Sequence, residues 1–349
     1  MNLKFNVIPI YALDISDLSY KFLRLKENKN GTVIDNFGSG VIPPNVIKEG
    51  EIKNRDAFVS LFKDVFTKNN IQFVAVSMPE EKCFLKIIEL KDIDESEIAQ
   101  ALEFQIEEYV PLPSSEVFFE YKIAEKKKDH FDVVIKAFPR IFVEDYLEAI
   151  YSAGALPVSV ETEFDAIVRA VIPKNFSIPS LIVDWGKSRV GFSIFENNAL
   201  RSTSTSFTGG EVINRAIADH LKISTKEAEE IKFQFNVLER ENKKGVFDIV
   251  FPMILSVKNE IEKHIDYWYS HSEKRTKLEQ IFLSGRDSNM LGLAEYFQNE
   301  LKIKVSLVNP WVNINFPPKY LPDILFRDSL GFTTAIGLAQ GLKEKEKIL

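Results

Sequence analysis

Two aspartates lie where a buried strand is expected to end and a tight turn to begin, and both positions suit metal and phosphate chemistry. Asp14 falls within YALDISDLSYKFLRL, and Asp184 within SLIVDWGKSRVGFSIF. A carboxylate at such a place can hold a hydrated divalent cation against a phosphate. The turn normally needs glycine, because a Cβ keeps backbone N–H groups away from phosphate oxygens. Gly186 follows Asp184 at the required position, whereas Ser16 occupies the matching position after Asp14.

Other residues could complete such a site. Lys21 follows Asp14 by seven positions, on the second strand of the hairpin, where its ammonium group could bind phosphate as a point charge. Gly209 and Gly210 precede a helix and leave room for phosphate to approach the backbone. A lone aspartate would be interpreted as a turn residue of a hairpin. Two aspartates in matching frames favour a nucleotide site.

The elements that position these residues alternate between strand and helix. The stretch RDAFVSLFKDVFTKN has its apolar residues at helical spacing, and QFVAVSMP is typical of a buried strand. Residues 84–160 differ, because their order β-α-β-β-α-β indicates a small inserted subdomain. From residue 178 the pattern of strand, aspartate, turn and strand returns. The sequence therefore predicts an α/β fold with two related halves.

Composition excludes several classes of function. The chain has 349 residues, a net charge of −7 and one cysteine, Cys83. The negative charge argues against a nucleic-acid partner, and the single cysteine suits a reducing compartment and is expected to be a small buried residue. No stretch approaches the roughly 20 apolar residues of a membrane span, so we expect a cytoplasmic protein that reaches a membrane only through partners. Glu260 and His264 have metal-ligand spacing but lack a third ligand in sequence, which favours a surface ion pair.

Several motifs together resemble the actin/Hsp70/hexokinase superfamily, in which two related halves bind ATP between them. They are the two aspartate hairpins, FTGGEVIN, AEEIK, FLSGRDSNMLGLAEYF and TAIGLA, in this order. Two further motifs, VIPPNVIKEGEI and QIEEYVPLP, are similar to those of the type IV pilus assembly family PilM and its cell-division relative FtsA. The resemblance covers nearly the whole chain.

This resemblance implies an actin-like fold of two lobes with an FtsA-type inserted subdomain. The expected boundaries are residues 1–83 for the first lobe, completed by 161–178 and 320–349; 84–160 for the insert; and 179–319 for the second lobe, with a smaller part at about 214–274.

The resemblance also implies a nucleotide site for ATP and Mg²⁺. Asp14 and Asp184 would hold the metal, and Glu229 and Lys232, three positions apart on one helix, would face the ribose and the base edge. The expected cofactor-binding residues are Asp14, Ser16, Lys21, Asp184, Gly186, Gly209, Gly210, Glu229, Lys232 and Gly285.

A further implication is a partner, since this family binds the short cytoplasmic N-terminal tail of the membrane protein PilN between the insert and the first lobe. Other pilus platform or motor proteins are also expected partners. Apolar pockets and free backbone groups would be needed in such a groove. The candidate contacts are Leu102, Ile106, Tyr109 and Leu112.

The chain departs from the family pattern at its phosphate and adenine loops. Ser16 and Asp17 replace a glycine and a small hydroxyl residue, and Arg286 and Asp287 replace two glycines. We expect an acid near phosphate oxygens and crowding of the base, hence a weakened cleft and at most a slow ATPase. The alternatives are an actin-like component of a type II secretion platform, or an active ATPase or sugar kinase of the same superfamily.

Overall fold

The computed structural model describes residues 8–239, 245–272 and 276–346, and it contains fifteen strands and ten α-helices in this range. The strands are β1 Ile10–Ile15, β2 Ser19–Asn28, β3 Gly31–Val41, β4 Ile47–Lys48, β5 Glu51–Ile52, β6 Phe73–Met78, β7 Phe84–Lys91, β8 Val117–Lys126, β9 His130–Pro139, β10 Leu156–Thr162, β11 Ser180–Trp185, β12 Val190–Glu196, β13 Ala199–Ser206, β14 Gln280–Ser284 and β15 Lys304–Leu307. The helices are α1 Arg55–Asn69, α2 Ile98–Tyr109, α3 Arg140–Ser152, α4 Glu163–Val171, α5 Gly210–Leu221, α6 Thr225–Gln234, α7 Val246–His271, α8 Leu293–Leu301, α9 Phe326–Ser329 and α10 Thr333–Glu346.

Two five-stranded sheets have the same strand order. The first runs β10-β6-β1-β2-β3 and the second β15-β14-β11-β12-β13. In each sheet a three-strand antiparallel meander is extended on one side by two parallel strands. The predicted repetition of the aspartate hairpin is therefore a repetition of a whole sheet, and the predicted α/β fold is confirmed.

The strands that carry the aspartates are buried because their sequences are continuously apolar. β1 is IYALDI and β11 is SLIVDW, and both lie at the centre of their sheets. Central strands covered on both faces favour such unbroken apolar runs. The polar residue at each strand end is consequently held at the edge of a hydrophobic layer.

Helices α4 and α10 join the lobes. One hydrophobic cluster contains Ala166 and Ile167 of α4, Ala335 and Ile336 of α10, and residues of both sheets, including Ile182. Small residues allow a close approach of the two helices. The Cα of Gly337 packs against the backbone of Ala166, where a Cβ would have no room.

The inserted subdomain is smaller than predicted. Its sheet, β7-β9-β8, is covered by α2. However, α3 packs in the core of the first lobe, and β10 pairs in parallel with β6 of the first sheet. The insert therefore spans about residues 84–139 and not 84–160, because the last helix and strand of the predicted β-α-β-β-α-β run extend the first lobe.

Candidate functional site

Asp14 lies at the base of a cleft between the lobes. The register of β1 and β2 sets Asp14 opposite Lys21, and the Asp14 carboxylate accepts hydrogen bonds from Lys21 Nζ and from Ser77 Oγ, both at 3.3 Å. Asp14 is only 4% exposed. The ammonium group of Lys21 compensates the buried negative charge, which would otherwise be costly.

The turn that follows Asp14 is closed by serine. Ser16 donates to the carbonyl of Ser19 from its backbone N–H at 2.9 Å and from Oγ at 3.0 Å. Asp17 turns away from the cleft, because its carboxylate accepts hydrogen bonds from the N–H groups of Glu49 at 2.7 Å and Gly50 at 3.0 Å. The expectation that Asp17 places an acid where phosphate would lie is therefore wrong.

Asp184 occupies the matching position in the second lobe, next to Asp14. Burial raises the pKa of Asp184, and the charge of Asp14 raises the pKa further. The two carboxylates thus repel each other. Paired carboxylate oxygens are the hard ligands that Mg²⁺ prefers, so the residues present fit a magnesium site.

The glycines of the second loop have different roles. Gly186 lines the cleft, and its N–H donates to the carbonyl of Arg189 at 2.9 Å. Gly209 packs against the backbone of Ser188 and Arg189, where a Cβ would clash. Gly210 packs against the carboxylate of Asp287. Gly209 and Gly210, which were predicted to bind the cofactor, therefore do not line the cavity but pack beneath it.

The predicted adenine end of the cleft is occupied by charged groups that bind one another. Arg286 Nη1 donates to Glu229 Oε1 at 3.0 Å, and the guanidinium lies 5.1 Å from the centre of the Phe233 ring. Gly285 has φ +81° and packs on the backbone of Trp185, so glycine is required there. Arg286 therefore lines the cleft and binds Glu229, which is itself a predicted ligand.

Lys232 does not lie in the cleft. It has no exposed surface, and its ammonium group pairs with the carboxylate of Asp287, which is 2% exposed. The side-chain nitrogen also lies 3.4 Å from the carbonyl of Gly210. The prediction that Lys232 faces the ribose is wrong for this conformation, because the aspartate that replaces a family glycine holds the lysine beneath the surface.

Seven of the ten predicted cofactor residues line one cavity of about 520 Å³ between the lobes. They are Asp14, Ser16, Lys21, Asp184, Gly186, Glu229 and Gly285. A cavity of this size is in the range that small-molecule ligands occupy.

The cleft also contains residues that the sequence did not single out. Arg189, 8% exposed, follows the second loop and forms an ion pair at 2.7 Å with Glu81 and another with Glu163. Nearby Glu80 is buried, which raises its pKa to about 7, with a further contribution from the charge of Asp165. Arg189 lies in the motif SLIVDWGKSRVGFSIF, but its role could not be predicted because its acidic partners are distant in sequence.

A second cavity, of about 810 Å³, lies where the insert, the first lobe and the second lobe meet. We call it the groove. Its lining includes Lys122 and Lys136 of the insert, Arg169 of α4, Asn198 of the second lobe and Gln340 of α10. Gln340 is 7% exposed, and within the described part of the chain neither its amide nitrogen nor its amide oxygen has a hydrogen-bond partner.

The predicted partner contacts on α2 fall into two groups. Leu102 and Ile106 have no exposed surface, and they pack in the core of the insert with Tyr109 and Leu112 at its margin. A peptide docked on this conformation would not touch Leu102 or Ile106, so these two assignments are corrected. The helical spacing identified the apolar face but could not reveal that the insert's own sheet covers it.

The remaining candidates do not add a site. His264 stacks on Phe192 and lies 2.8 Å from Ser204 Oγ, whereas Glu260 pairs with Lys263. Cys83 packs on the first-lobe core, and burial raises its pKa, as expected for a structural thiol.

One cluster of metal-ligand type was not anticipated. Atoms of Glu89, His130 and Asp132 in the insert lie within 4.8 Å of one another. Lys91 pairs with Glu89 at 3.4 Å and Lys127 with Asp132 at 3.0 Å, so both carboxylates have cationic partners without a metal.

Among the described residues, no helix has both the length and the hydropathy of a membrane span. The family model described as "Type IV pilus assembly protein PilM" matches residues 12–343.

Three solved structures share this fold. The chain named "PilM-PilN type IV pilus biogenesis complex" matches with a TM-score of 0.78 at 19% identity, covering 96% of this chain and 98% of that one. The ethanolamine utilization protein EutJ from Carboxydothermus hydrogenoformans matches with a TM-score of 0.55 at 14% identity, covering 94% and 88%. MreB5 of Spiroplasma citri, bound to ADP, matches with a TM-score of 0.57 at 10% identity, covering 97% and 98%.

Proposed function

The chain belongs to the type IV pilus assembly protein PilM family, and on this premise we propose that it is a cytoplasmic adaptor of the pilus inner-membrane platform. It binds the short cytoplasmic N-terminal tail of a PilN-like membrane protein and reaches the membrane through that partner. Further contacts with platform or motor proteins belong to the same proposal. Support comes from the family match and from the similarity to a chain solved in a complex named for PilM and PilN.

The observation that carries the proposal is the buried amide of Gln340. An amide offers one acceptor and two donors, which match the C=O and N–H groups of an extended peptide. Burial without a partner is costly for such a group, so a ligand that satisfies it gains free energy on binding. The groove lies where the insert meets both lobes, and it includes the junction of the insert with the first lobe at which the tail is expected to bind.

Charged side chains at the groove support a polar peptide rather than a purely apolar ligand. Lys122 Nζ donates to the carbonyl of Asn198 at 2.6 Å, and Lys136 forms an ion pair with Asp165. Burial lowers the pKa of Lys122, and the nearby charge of Asp165 opposes this effect. Peptide main chain and polar side chains can pair with this lining.

ATP with Mg²⁺ is part of the proposal as a weakly held ligand of the cleft. Asp14 and Asp184 would hold the metal, and Gly186 and Lys21 would face phosphate. The bound ion would neutralise the two repelling carboxylates. Affinity is expected to be low because Arg286 binds the predicted ligand Glu229 and Lys232 is held by Asp287, and hydrolysis is at most slow.

Calorimetric titration tests the adaptor function. A synthetic peptide copying the N-terminus of the organism's own PilN-like protein is titrated into the purified protein, with and without ATP and Mg²⁺. Binding in the micromolar range is expected in both conditions. Failure of the wild-type protein to bind the peptide would overturn the proposed function.

Two variants locate the peptide. Gln340→Met removes the amide at similar volume, and we expect about a tenfold loss of affinity, the effect of one buried hydrogen-bonding group. Tyr109→Ala tests the margin of the insert, where Tyr109 and Leu112 remain predicted contacts. A loss in Tyr109→Ala alone would place the peptide on the insert and outside the groove.

A further inference from the structure

Arg189 connects the second lobe to the first through a buried cluster of charges. Its Nη1 donates to Glu81 Oε1 at 2.7 Å, its Nη2 to Glu163 Oε1, and Asp17 Oδ1 lies 3.8 Å from Nη1. All three acids belong to the first lobe. We call Arg189, Glu81 and Glu163 the clasp.

The clasp is shielded from water. The side chain of Arg189 is 10% exposed, that of Glu81 8% and that of Glu163 13%. Shielding strengthens the attraction between the charges but also removes them from water, so the loss of one partner is costly because the remaining charges stay buried. A guanidinium group can pair with two carboxylates at once, which an ammonium group does less well.

Two elements lead from the clasp to the groove. Arg189 directly precedes β12, whose far end at Phe195 lines the groove; a strand of this length spans about 20 Å. Glu163 is the first residue of α4, and Asp165 and Arg169 of the same helix line the groove. Two of the three clasp residues, Arg189 and Glu163, thus stand at the start of elements that reach the groove.

The insert is attached to the first turn of α4 and to the turn after β12. Lys136 pairs with Asp165 of α4, and Lys122 donates to the carbonyl of Asn198, in the turn that follows β12. A rotation of one lobe against the other would therefore shift the two anchoring points of the insert relative to each other. Such a rotation would change the width of the groove.

We infer that Arg189 is a positioning residue for partner binding: the clasp holds the lobes closed and thereby keeps the groove in its peptide-binding shape. This inference rests on the proposed function for its ligand, but the clasp itself can be tested without one. By reciprocity, a peptide bound in the groove stabilises the closed lobes.

The first test measures the distance between the lobes. Spin labels are placed at the exposed positions Lys68 of α1 and Glu300 of α8, in a Cys83→Ala background, and their separation is measured by double electron–electron resonance. Arg189→Gln is expected to give a longer and broader distance distribution than the wild-type protein. Arg189→Lys, which keeps the charge, is expected to fall between them.

Arg201→Gln is the matched control. Arg201 is equally buried, at 10% side-chain exposure, but it pairs with Glu196 of its own lobe, at 3.4 Å. Its replacement is expected to leave the distance distribution unchanged. An unchanged distribution in a folded Arg189→Gln protein would overturn the inference, whether or not the peptide binds.

The second test is the peptide titration. Arg189→Gln is expected to weaken peptide binding about tenfold or more, and saturating peptide to return its label distance toward that of the wild type. If the wild-type protein binds the peptide and Arg189→Gln binds it equally well, the link between clasp and groove is wrong. If the wild-type protein does not bind it, the proposed function fails, and the label distances still decide whether the clasp exists.

Discussion

The two lobes repeat one strand order, yet their aspartate loops are stabilised in different ways. In the first lobe, Asp14 has Lys21 as a counter-ion and serine side chains close the turn. In the second, Asp184 has no cationic partner within 4.0 Å in the described part of the chain, and the loop is packed against the backbone of Gly209. The first loop is thus stabilised within its own lobe, whereas the second depends on close packing and on Arg189, whose partners lie across the cleft.

The largest expected effect comes from filling the space behind the second loop. Gly209→Ala puts a Cβ into the backbone of Ser188 and Arg189, and we expect the free energy of unfolding to fall by about 3 kcal/mol. Urea denaturation measures this. Gly331→Ala is the control, because its Cβ would meet Arg286 at an ordinary 3.4 Å. Equal effects of the two substitutions would contradict the packing argument.

The burial of Glu80 predicts that the free energy of unfolding depends on pH. Its pKa of about 7 exceeds the usual 4.5, so the folded protein binds more protons than the unfolded chain between these values. Stability therefore falls as pH rises through this interval. Glu80→Gln should remove the decline and be more stable than wild type by about 2 kcal/mol above neutral pH.

Thermal unfolding at pH about 5 and about 8 checks this expectation. The exposed Glu103→Gln is the control and should follow the wild-type profile. A Glu80→Gln protein with an unchanged pH dependence would show that Glu80 titrates normally in the folded state.

Replacing Asp14 or Asp184 by asparagine should change the free energy of unfolding in opposite directions. Asp14→Asn leaves Lys21 without its carboxylate, so the free energy of unfolding should fall by about 1 kcal/mol, less than for a fully buried pair because Lys21 is 20% exposed. Asp184→Asn removes a charge that burial and Asp14 disfavour, so stability without Mg²⁺ should rise by a similar amount. Denaturation without and with Mg²⁺ and ATP measures both, and effects of the same sign would contradict the difference between the loops.

The smallest effect is expected at the serine turn. Ser16→Gly removes the hydrogen bonds of Ser16 Oγ with the carbonyl and the hydroxyl of Ser19 and should cost about 1 kcal/mol or less, because the turn is partly exposed. Ser16→Ala, which also lacks the hydroxyl but keeps the Cβ, separates the bonds from backbone freedom. A cost above that of Gly209→Ala would show that the first loop is the more constrained of the two.

Sequence analysis succeeded where the pattern was local and repeated. The strand-end positions of Asp14 and Asp184, and the place of Gly186 in the loop that lines the cleft, follow from short apolar runs and turn residues that recur in both halves. Each of these features depends on residues within a few positions of the aspartate. The family motifs then fixed the actin-like fold.

The sequence could not predict contacts between residues that are far apart along the chain. Arg189 is a charged residue in a hairpin until Glu81 and Glu163 approach it from the other lobe. The sequence predicted that Asp17 lies in the cleft. Its carboxylate instead accepts hydrogen bonds from the N–H groups of residues 49 and 50, which are more than thirty positions away and could not be identified as partners from the sequence. Lys232 was judged from its helix face, and its pairing with Asp287 arises only in the folded core.

The packing of α10 against α4 and β1 bears on how the protein is made. The second lobe is continuous from β11 to β15, whereas the first lobe lacks part of its core until Ala335, Ile336 and Ala339 are available. On the ribosome, the second lobe can therefore complete its fold before the first, although its codons are translated later. The earlier half remains unfinished while the later one forms, which makes it the region that chaperones would be expected to protect during synthesis.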